Sequence, residues 1–382
     1  MRIAIATAYP TDPASPDGGV EAVSVNLVGA LARLEGVDLH VVTTDAGRRE
    51  PAVFSDGPVT MHRLPRHGWR TLTGAVGAGR WHLKHYLRML APDVVHAHDI
   101  YGLMVKGLAV PRVFTVHGFI HADTAVSGTP AAWLRSHLWR RVEVAGWADQ
   151  PHIIAISPYV RRRLTGLTLA RIHDIDNPVG EAYFDIPRRE QPVTILSTAV
   201  ISPRKNTLAL IEAFALLVER GHDVRLRLAG SSRWEDYFRR VTHRLADPRL
   251  ARRVDLLGTI PAEHIRRELA AASIYALTSL EENAPMGIAE AMAAGVPVVA
   301  SNRCGMPYMV REGESGYLVD PTDVRDIARR LELLVTRPDR REAMGARGRR
   351  IALERFHPAV VAQRTMEVYR LAVGQGVVHA GV

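Results

Sequence analysis

Short apolar runs alternate regularly with longer stretches of helical periodicity, and this limits the chain to few architectures. Runs of strand length fall at Arg2–Ala8, Val37–Thr43, Asp93–Ala97, Arg112–Val116 and His152–Ile156. A second series follows at Val193–Ala199, Val224–Ala229, Arg253–Leu257, Ser273–Leu277 and Pro297–Ala300. Helical patterns lie between them at Val20–Leu34, 81–90, 131–147, Thr207–Arg220, 234–246 and 263–270. Near-continuous apolar strands are buried on both faces, and crossover helices over a parallel sheet supply that cover. The pattern predicts an α/β chain of two Rossmann-like, doubly wound parallel-sheet domains. The length of 382 residues suits two domains of about 100 to 200 residues each. The strand series pauses in a loop, Asn177–Glu190, that carries Pro178 and Pro187. The predicted domains are therefore 1–178 and 179–357, with the final helical pattern from Pro358 crossing back so that 358–382 pack on the first. Open sheets bind ligands beyond the carboxyl ends of their strands, so two facing sheets predict a site in a cleft.

Composition narrows the class. The single cysteine, Cys304, excludes an internal disulfide framework and a cysteine-based metal cluster. No apolar run approaches the ~18 residues of a membrane-spanning helix. The segment Met1–Pro10 is too short and too early broken for a signal peptide, which predicts a cytoplasmic protein with peripheral membrane contact at most. The net charge is +9, and only Lys84, Lys106 and Lys205 among the 49 basic residues are lysines. Between Asp56 and Asp93 there is no acid, but Arg63, Arg66, Arg70, Arg80, Lys84 and Arg88 alternate with Trp69, Trp81 and Tyr86. Between Asp123 and Glu143 the same holds for Arg135, Arg140 and Arg141 with Trp133 and Trp139. Such helices suit an anionic membrane surface or a phosphate-bearing partner. They equally suit solvated helices whose tryptophans turn inward. No nucleic-acid-binding motif accompanies the charge, so nucleic acid is not a predicted partner.

Chemistry-bearing residues concentrate at predicted strand ends. In the segment Ser279–Ala300, a strand ends near Leu277, Asn283 or Ala284 can cap a helix, and Pro285 suits its first position. The N–H groups near Met286–Ile288 would then form an anion site. Glu282 precedes that helix and Glu290 lies in its second turn; carboxylates so placed suit polyol hydroxyls, since each accepts two hydrogen bonds. A merely capped helix with solvated glutamates is the plainer alternative. Arg204 and Lys205 follow the strand Val193–Ala199 and sit at another helix start, where cations oppose the helix dipole unless an anion is shared. In the first half, Asp17-Gly18-Gly19-Val20 opens a helix where backbone can approach a phosphate closely. No G-x-G-x-x-G or G-x-x-x-x-G-K-[ST] motif occurs, against a dinucleotide oxidoreductase and a P-loop enzyme. His117 ends the strand Arg112–Val116, a productive position, whereas His96 reads as structural. His96 and His98 lack an H-E-x-x-H spacing and Asp174-Ile-Asp176 reads as coincidence, so neither a metal nor any other cofactor is predicted.

Together these residues resemble retaining glycosyltransferases of family four, which have the GT-B fold. The resemblance spans nearly the whole chain: Gly-Gly-Val-Glu from Gly18, Val-Val-His-Ala-His from Val94, Thr-Val-His-Gly from Thr115, Pro-Arg-Lys-Asn from Pro203, Leu-Ala-Gly ending at Gly230 and Gly316-Tyr-Leu-Val-Asp-Pro321. Its most specific piece is the glutamate, seven residues, glutamate motif of Glu282 and Glu290. The resemblance implies that Glu282 and the backbone of Asn283, Ala284, Pro285 and Met286 contact a donor sugar. It implies that Glu290 holds a nucleotide ribose, Lys205 the diphosphate with Arg204 beside it, Gly18 and Gly19 the phosphates from the facing domain, and that His117 sits beside the transferred sugar. Many members carry an arginine five residues before the lysine; here Val200 stands there. The implied reaction is metal-independent transfer of a hexose from a nucleotide-diphosphate sugar to a glycan, lipid-linked or small-molecule acceptor. With no carboxylate nucleophile evident, front-face retention through an oxocarbenium-like state is the expected course. A 2-epimerase of the same fold and a catalytically silent nucleotide-sugar binder are the alternatives.

Overall fold

A computed structural model describes residues 1–67, 71–125, 131–190 and 193–379. The chain forms two compact units, Met1–Asn177 with Pro358–Val382, and Pro178–His357.

The first unit is built on an eight-stranded sheet: β1 (Arg2–Ala6), β2 (Asp38–Asp45), β3 (Ala52–Asp56), β4 (Val59–Pro65), β5 (Val94–His98), β6 (Arg112–Val116), β7 (His152–Ala155) and β8 (Arg171–Asp174). Their order is β3-β4-β2-β1-β5-β6-β7-β8, and only the β3–β4 hairpin is antiparallel. The hairpin and β8 carry no apolar run and are absent from the predicted strands. Both lie at sheet edges, where β3 exposes Val53 and Phe54 and needs no buried face. Helix Pro358–His379 belongs to this unit, burying Val361, Met366 and Tyr369 with Ile3, Leu27 and Val94.

The second unit carries a parallel six-stranded sheet: β9 (Thr194–Thr198), β10 (Arg225–Ala229), β11 (Val254–Gly258), β12 (Ile274–Leu277), β13 (Val298–Ser301) and β14 (Gly316–Val319). The order is β11-β10-β9-β12-β13-β14. Each sheet reverses its winding beside its first strand, between β1 and β5 in one unit and between β9 and β12 in the other. At such a reversal the two following loops part in opposite directions and leave a crevice at the strands' carboxyl ends. Gly18 follows β1 and His98 ends β5; Arg204 and Lys205 follow β9, and Glu282 follows β12.

Candidate active site

In the second unit the loops after β9 and β12 are tied together by their backbones. Leu280 N donates to Arg204 O (2.8 Å), and on the far side Gly305 N donates to Glu282 O (2.8 Å). Asn206, held in the left-handed region at φ 56°, sends Nδ2 to Pro321 O (2.6 Å) and Thr278 O (3.3 Å). Gly305 packs so closely that a Cβ there would lie 1.7 Å from Asn283 O, so no other residue fits without displacing the glutamate loop.

This frame presents a charged triad. Lys205 Nζ lies 2.5 Å from Glu282 Oε1, and Arg204 Nη1 lies 3.2 Å from the same oxygen. Glu282 is only 8% exposed, so its carboxylate needs a partner at hand. Residues expected to meet different parts of a ligand thus form one cluster, with the carboxylate between the cations.

The spacing predicts Asn283 or Ala284 as helix cap and Pro285 as first helical residue; the helix instead runs Met286–Ala293 with Pro285 at the cap. Proline at φ −67° and ψ 125° sits in the extended region, which places the turn one residue later. No side chain caps this end, leaving the N–H groups of Met286 and Gly287 as its first donors. The helix start rests on Tyr275, whose hydroxyl pairs with Thr198 Oγ1 at 3.0 Å, and a Cβ on Gly287 would fall 2.0 Å from that hydroxyl. Glu290 hydrogen-bonds the Tyr183 side chain, and burial pushes its carboxyl up to about 7.

In the first unit, Gly18 precedes helix Gly19–Leu31 with φ 127°, a region that favours glycine, and both glycines are exposed. His117 follows β6 and is 8% exposed. Its backbone N–H donates to Asp99 Oδ1 (3.0 Å), its Nε2 lies 3.0 Å from His98 Nδ1, and its ring also bonds Asn177. Asp99 holds φ 44° and ψ −118°, a costly backbone for a non-glycine residue, while its carboxylate accepts from the N–H groups of His117 and Gly118. His96 is sealed between Tyr369 Oη (2.6 Å) and Thr115 Oγ1 (2.7 Å), a structural role. Burial lowers the pKa of His96 to about 3 and depresses His98 and His117 below the ordinary imidazole range, so the cluster is neutral at pH 7.

Sequence reasoning gave no site role to Asn206, Gly305, Tyr183 or His98. Of these, His98 carried a legible signal, its place at a strand end beside His117. The tryptophans divide: Trp81 and Trp133 are exposed, whereas Trp139 and Trp147 are buried. Trp69 and Arg70 lie outside the described residues.

Comparison with known proteins follows the division into units. The family described as Glycosyltransferase Family 4 matches residues 17–182, and the family of group 1 glycosyl transferases matches residues 181–351. An MMP alpha-(1->4)-mannosyltransferase of Mycolicibacterium hassiacum is 30% identical over 74% of this chain and 71% of its own. The chain belongs to glycosyltransferase family 4. This glycosyltransferase is also 28% identical to an alpha-maltose-1-phosphate synthase of Mycolicibacterium smegmatis, over 97% of this chain and 99% of the relative. Among solved structures it matches sucrose-phosphate synthase from Thermosynechococcus elongatus with TM-score 0.78 at 21% identity, covering 98% and 99% of the two chains. It matches HepE of Anabaena, in complex with UDP-glucose, with TM-score 0.72 at 17% identity, covering 97% and 100%. The glycosyltransferase thus shares the GT-B fold of these neighbours.

Proposed function

We propose that this glycosyltransferase moves a hexose from a nucleotide-diphosphate sugar to an acceptor hydroxyl with retention at the anomeric carbon. The observation that carries the reading is the cluster of Lys205 and Arg204 on Glu282, 2.5 and 3.2 Å away, beside the uncapped start of helix Met286–Ala293. The bound diphosphate takes over Lys205 and Arg204, and the carboxylate they release accepts hydroxyls of the donor sugar. The backbone from Asn283 to Met286 lies against the sugar and phosphates, and Glu290 takes the ribose hydroxyls. In the first unit Gly18 and Gly19 offer backbone N–H groups to the phosphates and His117, as a neutral imidazole, bonds the transferred sugar.

As the glycosidic bond breaks, negative charge grows on the leaving diphosphate. The two cations and the helix N–H groups are fixed before the reaction and stabilise that charge without a metal. The same charge stabilises the oxocarbenium-like sugar on the face from which the acceptor enters, which gives front-face retention. The mannosyltransferase name among the relatives and the UDP-glucose in the HepE structure support a nucleotide-hexose donor.

For the acceptor we propose a glycan, a glycolipid or a small molecule, met in part at an anionic membrane surface. Among the described residues no helix is long and apolar enough to cross a membrane. Helix Ala132–Ala148 exposes Trp133, Leu134 and Leu138 together with Arg135, Arg140 and Arg141, which suits peripheral docking. Liposome co-sedimentation tests this part: binding that requires anionic lipid and falls in Trp133→Ala/Leu138→Ala supports it, and absence of binding at any salt removes it. Incubation with UDP-, GDP- and ADP-hexoses in the presence of a chelator tests the whole. Release of the nucleoside diphosphate from one donor, by transfer to an added acceptor or to water, is expected, while epimerisation without release, or a panel in which no donor is hydrolysed, transferred or bound, would refute transfer.

A further inference from the structure

The first unit contains a cavity of about 560 Å³ that none of the residues discussed above as donor contacts lines. It opens beyond the ends of β2 and β4, beside helices Thr71–Val76 and Ala78–Leu90. Its interior is hydrocarbon and aromatic, formed by Leu64, Ala75, Leu83, Ile100, Tyr101 and Met104. Its charged and basic lining is one-sided, Arg49, Arg66, His67, His82 and His85, with no aspartate or glutamate among the described lining residues; the lining hydroxyls are already engaged, Thr44 with Tyr101 (2.9 Å) and Tyr86 with His62 (2.8 Å). Asp45, at the end of β2, is already engaged by Arg48 (3.7 Å) and by Gly47 N (2.8 Å).

The imidazoles are held in place by packing. His67 stacks on His82 with ring centroids 3.8 Å apart, and Trp81 stacks on His85 at 5.3 Å. The His67 carbonyl lies so near Gly79 that a Cβ there would come within 2.8 Å, which fixes the turn against the helices. Burial and the neighbouring His67 and His85 lower the pKa of His82, a penalty that an anion placed among them would relieve. A neutral sugar would find few hydroxyl partners on this interior. A hydrocarbon group would fill it, and a phosphate at its mouth would meet two guanidiniums able to bind two oxygens each.

We propose that this cavity binds an amphiphilic phosphate, a hydrocarbon or aromatic group bearing a phosphate ester, and that the acceptor belongs to this class. The second clause rests on the glycosyl-transfer reading; the first does not. Farnesyl phosphate serves as the probe, titrated calorimetrically into the full chain. Inorganic phosphate and octyl glucoside supply the two halves of the ligand, and UDP- and GDP-hexoses are titrated in parallel. Farnesyl phosphate is expected to bind at least about tenfold more tightly than either half. The exposed pair Arg49→Glu/Arg66→Glu should weaken it by about tenfold or more while leaving nucleotide-sugar affinity within about twofold. Competition by phosphatidic acid vesicles would support a lipid headgroup as the source, and its absence a free phosphate ester. Equal binding by the variant, equal binding of octyl glucoside, or no farnesyl phosphate binding by a chain that binds nucleotide sugar overturns the proposal. Farnesyl phosphate binding by a chain that turns over no nucleotide sugar supports the cavity and instead overturns the transfer reading.

Discussion

Lys205→Ala removes the nearer cation from a carboxylate that has little access to water. The Lys205 and Glu282 side chains are 14% and 10% exposed and their charged atoms lie 2.5 Å apart. Breaking a fully buried pair costs about 3–5 kcal/mol, because the surviving charge is left uncompensated. Here Arg204 stays 3.2 Å from the same oxygen, though its side chain is 37% exposed and its attraction is partly screened. The expected loss is therefore smaller, about 1–3 kcal/mol. That corresponds to a fall in Tm of about 2–12 °C for a unit of this size. Transfer should suffer separately, since the diphosphate loses a preorganised cation: kcat and kcat/KM should fall together by at least about 100-fold. A double-mutant cycle with Glu282→Gln isolates the pair. The coupling in thermal stability should be about 1 kcal/mol or more. Additivity within about 0.5 kcal/mol, or near-wild-type turnover by Lys205→Ala, would refute the paired arrangement or its role.

Three further predictions follow from the same geometry. Burial raises Glu290 to about 7, so its carboxylate form grows as pH rises from 6 to 8; donor affinity should rise over that interval, and a pH dependence that persists in Glu290→Gln would contradict the assignment to ribose. Gly287→Ala puts a Cβ 2.0 Å from the Tyr275 hydroxyl and should destabilise the chain by about 1–3 kcal/mol, with partial recovery in Gly287→Ala/Tyr275→Phe, read by thermal melting. The folded-state pKa values of His96 and His62 are lowered to about 3 and about 4, so the unfolded chain takes up protons first as pH falls below 6.5; Tm should decline from pH 6.5 to 5, and a flat profile would show that these imidazoles are not buried.

How much of this was legible in the sequence depended on how local the signal was. The central strands declared themselves, because β5, β7, β12 and β13 are buried along their whole length and so carry mainly apolar residues, broken only by His96 and His98 in β5, His152 in β7 and Ser301 in β13. The edge strands β3 and β8 did not, since their exposed residues carry no such pattern. Lys205, Arg204 and Glu282 could each be placed at a strand end, but their meeting depends on β9 and β12 being sheet neighbours, a pairing that no local pattern encodes. Asn206 and Gly305 escaped notice for the same reason: their necessity lies in Pro321 O and Asn283 O, which are remote in sequence. The helix after Glu282 was displaced by one residue because proline is as acceptable at the cap as at the first turn.

The central claim is retaining transfer dependent on the Glu282 site, and proton NMR of the anomeric signals during turnover addresses it most directly. Wild-type protein with its α-linked nucleotide hexose should form an α-linked product as the nucleoside diphosphate accumulates, and Glu282→Ala should lower that rate by at least about 100-fold. A β-linked product, or an undiminished rate in Glu282→Ala, would contradict the account.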